Sequence, residues 1–110
     1  VAAGVDPEQV ILDPGLGFAK RPEHSWRVLA HVDALAELGR PVLIGASRKG
    51  FVGHTLPDSG GTPRPVLERD AATAALTLLA AQAGVWGVRV HDVRTSADAL
   101  RMLQAWQAAR

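Results

Sequence analysis

The stretch RPVLIGASRKG, residues 40–50, decides how the chain is read. Val42, Leu43 and Ile44 form an unbroken apolar run, too short for a helix and rich enough in β-branched residues for a strand. No polar residue alternates within it, which predicts a strand covered on both faces, as in a parallel sheet. The following Gly-Ala-Ser-Arg-Lys-Gly ends that strand and places Ser47, Arg48 and Lys49 at its carboxyl end.

The same pattern recurs on either side. Upstream, EQVILDPG (residues 8–15) is a short apolar run that ends in Asp13. Downstream, GVWGVRVHD (residues 84–92) is a run of Val and Trp that ends in Arg89, His91 and Asp92. Helical patterns follow each run. Residues 21–39 carry Pro22 in the first turn, Glu23 at the positive end and Gly39 at the far end, with Trp26, Leu29, Val32, Ala36 and Leu38 as the apolar side. Residues 66–84 are apolar around most of the circumference, apart from a thin line of Asp70, Thr73 and Thr77, which predicts cover on more than one side. Residues 93–110 set Thr95 and Asp98 at capping-box spacing, ahead of a stripe of Ala99, Leu100, Leu103 and Trp106 expected to be buried. The Gly- and Pro-rich stretch at residues 50–65 is longer than the ~2–6 residues of an ordinary strand-to-helix connection, which predicts a functional loop.

Read in order, these segments predict an α/β chain of three consecutive βα units with parallel strands. Right-handed crossovers then leave an open doubly wound sheet or part of an eightfold barrel. With 110 residues the chain has the length of one domain, and 47% apolar against 21% charged residues is ordinary for a soluble globular protein. A net charge of +1 gives no bulk attraction to nucleic acid or to an anionic membrane. The absence of cysteine excludes disulfides, thiolate catalysis and Cys-based zinc sites, and suits a reducing compartment. No stretch approaches the ~20 apolar residues of a membrane span, and the first residues lack the basic flank of a signal peptide. The opening VAAG reads as the end of a helix with its glycine cap, so the expectation is a piece of something longer.

In both candidate architectures ligands bind at the carboxyl ends of the strands. There, Asp13 can accept two parallel hydrogen bonds from a ligand with paired N–H donors, or it can cap the Pro-Gly-Leu-Gly turn. Lys49 can serve the same site or be a solvated loop lysine. Arg89 and His91 alternate with Val88 and Val90 and so share a strand face, a combination suited to an anion; the alternative pairs Arg89 with Asp13 or Asp92. His24, His31 and His54 show no ligand spacing, Gly-Leu-Gly is a weak phosphate-loop signal, and Trp26, Trp86 and Trp106 are expected in the core.

Taken together, DPGLGFAK, GASRKGF and RVHDV resemble the C-terminal portion of the dihydropteroate synthases, over essentially the whole chain from Val10 onward. The resemblance implies that residues 1–110 are the C-terminal fragment, the last three βα units, of one pterin-binding TIM (β/α)8 barrel. It implies condensation of para-aminobenzoate with 6-hydroxymethyl-7,8-dihydropterin diphosphate, releasing diphosphate, in folate biosynthesis. By motif, Asp13 would take the pterin's N–H donors, Lys49 its ring acceptors, and Arg89 would stack on it. Phe18, Lys49 and Gly50 would line the aminobenzoate site, Gly50 standing where many relatives carry a hydroxyl. Arg89 and His91 would clamp the diphosphate, and Lys49, Arg89 and His91 would form the catalytic set. The family also implies magnesium, held by an N-terminal residue absent here, a homodimer formed through the late helices, and a cytoplasmic location. A 110-residue piece is expected to have little or no activity alone, since three strands cannot close an eight-stranded barrel. The competing expectations are a methyltetrahydrofolate–corrinoid methyltransferase, a truncated non-catalytic pterin-binding paralogue and, more distantly, a small flavodoxin-like domain.

Overall fold

A computed structural model describes residues 11–16 and 21–110. The start of the first expected strand, residues 8–10, and Phe18 lie outside the described residues. The elements are α1 (Pro22–Ala30), α2 (Val32–Ala36), β1 (Leu43–Ile44), α3 (Gly50–Thr55), α4 (Asp70–Gln82), β2 (Gly87–Val88) and α5 (Val93–Ala108), with a 3₁₀ turn at Val66–Glu68.

β1 and β2 pair in parallel, Leu43 opposite Gly87 and Ile44 opposite Val88. Of the first expected strand, the described residues show a single parallel bridge, Leu12 to Val42. It is held by Leu12 N–H donating to the Pro41 carbonyl and Leu43 N–H donating to Leu12, each at 2.8 Å. The Leu12 segment, β1 and β2 therefore lie side by side in chain order. The core collects where they meet the helices: Leu16, Val32, Val42, Ile44, Ala46, Phe51 and Val52 are buried together. Val42, Ile44 and Ala46, in β1 and beside it, are all buried, as the unbroken apolar run requires.

Several sequence expectations are corrected. The single helix over residues 21–39 breaks at His31 (φ −116°, ψ 25°), whose Nδ1 lies 2.8 Å from the Arg27 carbonyl. The break leaves Val32 buried and Leu38 67% exposed. Gly39 does close the segment, at φ +81°. The expected long loop begins instead as a helix, α3, because Phe51 and Val52 are pinned in the core. Trp26 stands edge-on to Phe51 at 5.1 Å between ring centres, and its indole N–H donates to Thr55 Oγ1 at 2.8 Å. Two glycines in Gly-Phe-Val-Gly disguised a helix whose stability is tertiary.

On α4, whose polar line carried no stated direction in the sequence, Thr73 and Thr77 face inward. Thr73 and Thr77 are buried while Leu79 is 60% exposed. Thr77 donates to the Thr73 carbonyl at 3.1 Å, so its hydroxyl oxygen is the acceptor for Ser96 of α5 at 3.0 Å. Facing threonine and serine let α4 and α5 pack with every buried hydroxyl partnered. The cap of α5 is Asp92, three residues earlier than expected. Its Oδ1 accepts from Thr95 N–H at 3.1 Å and its Oδ2 from the Thr95 hydroxyl at 2.5 Å, while Asp98 faces Arg101 at 3.6 Å. An extended Asp directly before the helix satisfies the open N–H groups, which leaves Thr95 inside the first turn. Trp86 and Trp106 are 62% and 72% exposed, and Ser96 takes the buried position on α5, so neither tryptophan is core.

Candidate active site

Each segment end delivers one polar group to a common edge. Asp13 follows the Leu12 bridge directly, and Gly15, at φ +69°, folds the chain back so that its N–H donates to Asp13 Oδ1 at 2.9 Å. Arg89 extends the β2 pairing, its N–H donating to the Ile44 carbonyl at 2.9 Å. Its guanidinium crosses the β1 backbone above Gly45, where a Cβ would overlap it, and Nη1 donates to Asp13 Oδ2 at 3.1 Å. Lys49 leaves β1 at the head of α3 and donates from Nζ to the Leu16 carbonyl at 2.5 Å. Gly50 is the exposed first residue of α3.

Charge ties the three together. The Gly15 N–H holds the Asp13 carboxyl below its usual range; burial opposes this, while Arg89 and, more weakly, Lys49 reinforce it. Burial pushes the Lys49 ammonium below the usual lysine value, helped by the positive charge of Arg89 and resisted by Asp13. Both structural roles open to Asp13 are thus filled, the turn cap and the Arg89 ion pair. The pair is still wet, with side chains 34% and 55% exposed, so a ligand can exchange for it.

His91 sits beside this cluster, and its anchor is a residue to which the sequence reading gave no role. The hydroxyl of buried Ser47 accepts the His91 backbone N–H at 3.1 Å and lies 2.8 Å from its Nδ1. A second unassigned group precedes Lys49 in the chain. Arg48 forms a two-pronged ion pair with Asp70, Nε to Oδ1 and Nη2 to Oδ2, both 2.9 Å. The available signal was the Asp70–Thr73–Thr77 line, a polar seam on an otherwise apolar helix and therefore a candidate for the inside. Ser47 offered no comparable sign. Phe18 lies outside the described residues, so its expected place beside the second substrate has no geometry here. No three His, Asp or Glu side chains among the described residues are placed to hold a metal ion.

An acid, a lysine and an arginine followed by a histidine, on successive parallel segments, thus bring hydrogen-bond donors and acceptors of both charges to one edge. Residues 1–91 match the model of the family described as "Pterin binding enzyme", and the chain belongs to that family. Within it, the chain is similar to the dihydropteroate synthase of Mycobacterium leprae, 53% identical over 106 residues that cover 96% of this chain and 37% of that protein. Two solved Xanthomonas albilineans dihydropteroate synthases superpose with TM-scores of 0.87 at 43% identity. One is in complex with 7,8-dihydropteroate and one with 4-aminobenzoic acid; each match covers 97% of this chain, and 39% and 37% of theirs respectively. The chain thus spans little more than a third of these relatives.

Proposed function

We propose that residues 1–110 are the C-terminal part of one pterin-binding barrel domain, its last three βα units, in a dihydropteroate synthase. Support comes from the chain-ordered parallel segments, the order a barrel requires, and from the shared span of the relatives. The observation that carries the reading is the gathering of Asp13, Lys49 and Arg89 from three segments onto one edge, with Arg89 and Asp13 3.1 Å apart.

In this reading the pterin replaces Arg89 on Asp13, giving the carboxylate its paired N–H donors, while Lys49 turns to the ring acceptors. The freed Arg89 guanidinium covers the pterin face and, with His91, donates to the diphosphate. The reaction breaks the C–O bond to diphosphate, forms a C–N bond to the aniline nitrogen of para-aminobenzoate and releases that nitrogen's proton. Negative charge grows on the leaving group, where a preorganised donor is typically worth about 3–4 kcal/mol of barrier. Holding the amine in line supplies more, up to ~7–11 kcal/mol in well-oriented cases. Phe18, Lys49 and Gly50 would border the amine's ring.

The family's magnesium would draw its ligands from elsewhere in the protein, and no step here runs through it. We further propose a cytoplasmic protein; among the described residues no helix is long and apolar enough to cross a membrane. A homodimer through α4 and α5 would cover Leu79, Met102 and Trp106, which are 60%, 68% and 72% exposed. The decisive test is diphosphate release by the full-length protein given both substrates. Release that depends on para-aminobenzoate supports the proposal, and its absence refutes it.

A further inference from the structure

Arg48 has φ +59°, the one positive value among the described non-glycine residues. A glycine would adopt this conformation freely, whereas an arginine holds it only where its surroundings over-determine it. The first turn of α4 and the residue preceding it supply that constraint. Asp70 grips the guanidinium fork by two bonds of 2.9 Å. The Arg48 N–H faces Thr73 Oγ1 at 3.4 Å, and its carbonyl accepts from Arg69 Nη1 at 2.8 Å. Arg69 is itself fixed, its Nε donating to the Arg64 carbonyl at 2.7 Å and its guanidinium lying against Gly53 of α3.

Lys49 comes directly after this turn. The left-handed residue takes the chain out of line with β1, so that Lys49, extended at φ −69° and ψ 157°, heads α3 and reaches the Leu16 carbonyl. We propose that Arg48 and Asp70 form a positioning clamp that fixes Lys49 against the Asp13–Arg89 pair, with neither member of the clamp touching substrate. The clamp rests on the proposed role of Lys49 as a site residue. Its chemistry is specific: a guanidinium matches both carboxylate oxygens at once, and an ammonium cannot.

The test uses the full-length protein and compares Arg48→Gly, Arg48→Lys, Asp70→Asn and the exchange Arg48→Asp with Asp70→Arg, with Lys49→Ala as reference. Arg48→Gly keeps the turn and removes the fork; Asp70→Asn keeps the shape and removes the charge, so one tests the clamp where the other fails to fold. With melting temperatures showing folded variants, kcat is expected to fall roughly 10- to 100-fold in Arg48→Gly and Asp70→Asn, as for a reacting group misplaced by about 1 Å. Arg48→Lys should fall between them and the parent, and the exchange should recover part of the loss. The alkaline limb of the pH profile should also move towards the ordinary lysine range as Lys49 is released into water. If Lys49→Ala is inactive while both single variants stay within about twofold of the parent in kcat and pH profile, the clamp is wrong and the site reading stands. If Lys49→Ala is fully active, the site reading falls and the clamp with it.

Discussion

Gly45→Ala separates stability from catalysis at one atom. Gly45 lies in the buried continuation of β1, and an added Cβ would overlap the guanidinium of Arg89. That group is the far end of a flexible side chain, so the side chain rather than the sheet gives way. The stability cost is small. The ion pair lost is half-exposed, with side chains 55% and 34% accessible, and such pairs are worth about 0–1 kcal/mol. Replacing glycine by alanine in an ordinary extended backbone returns about 0.4–1 kcal/mol through the unfolded chain. The net change should lie within about 1 kcal/mol of zero, a small shift in melting temperature. Under the proposed function the catalytic cost is large, because a displaced Arg89 would no longer meet the diphosphate where its charge develops. Loss of one preorganised donor corresponds to roughly 100- to 1,000-fold in kcat. Diphosphate release by the full-length protein and a thermal melt measure the two effects side by side. A variant that melts like the parent and turns over within about threefold of it would refute the placement of Arg89 over Gly45 as functional.

Thr77→Val leaves the Ser96 hydroxyl without its acceptor between α4 and α5 and should cost about 1–3 kcal/mol in urea denaturation. Adding Ser96→Ala should cost less than the sum of the single changes, and strict additivity would deny the pair. Ser47→Ala removes the hydroxyl that orients His91, and should weaken diphosphate binding roughly two- to tenfold with the fold intact, as expected for one hydrogen bond; titration calorimetry reads it. Asp13, Asp70 and Asp92 all have folded pKa values below their ordinary range, held there chiefly by Gly15 N–H, Arg48 and Thr95 respectively. Their stabilisation is complete above the unfolded carboxylate value near about 4 and is lost as pH falls through the lower folded values. Asp92→Asn should therefore lower the melting temperature at neutral pH and flatten the acid decline, and an unchanged acid decline would contradict this.

What the sequence disclosed was chosen by spacing that survives folding. Val42–Ile44 had no polar residue to place, so its burial and parallel pairing followed from composition. The placement of Asp13, Lys49 and Arg89 at one edge was legible because a strand end has one geometric fate in any parallel α/β architecture. The failures share a different cause. Whether Gly-Phe-Val-Gly is loop or helix depends on Trp26, which lies far away in sequence, and the inward turn of Thr77, on which the sequence was silent, is met by Ser96. Trp106 was assigned to a buried stripe by helical spacing with Ala99, Leu100 and Leu103, whereas the buried position on its helix is Ser96. Each miss is an interaction between elements, invisible to any window read along one of them.

The inward polar seam of α4 also explains why an apolar helix tolerates it. Asp70, Thr73 and Thr77 lie along one face of α4: Asp70 and Thr73 hold the Arg48 turn, and Thr77 holds Ser96 of α5. A helix packed by leucine alone would bury more area, but it would offer nothing to hold a left-handed arginine in place. Two of these residues are buried and hydrogen-bonded, so their polarity costs little, while what they position lies at the segment ends. The seam thus joins the packing of the last two helices to the placement of Lys49. A polar-to-apolar change at Thr73 should then spare the core and disturb the turn.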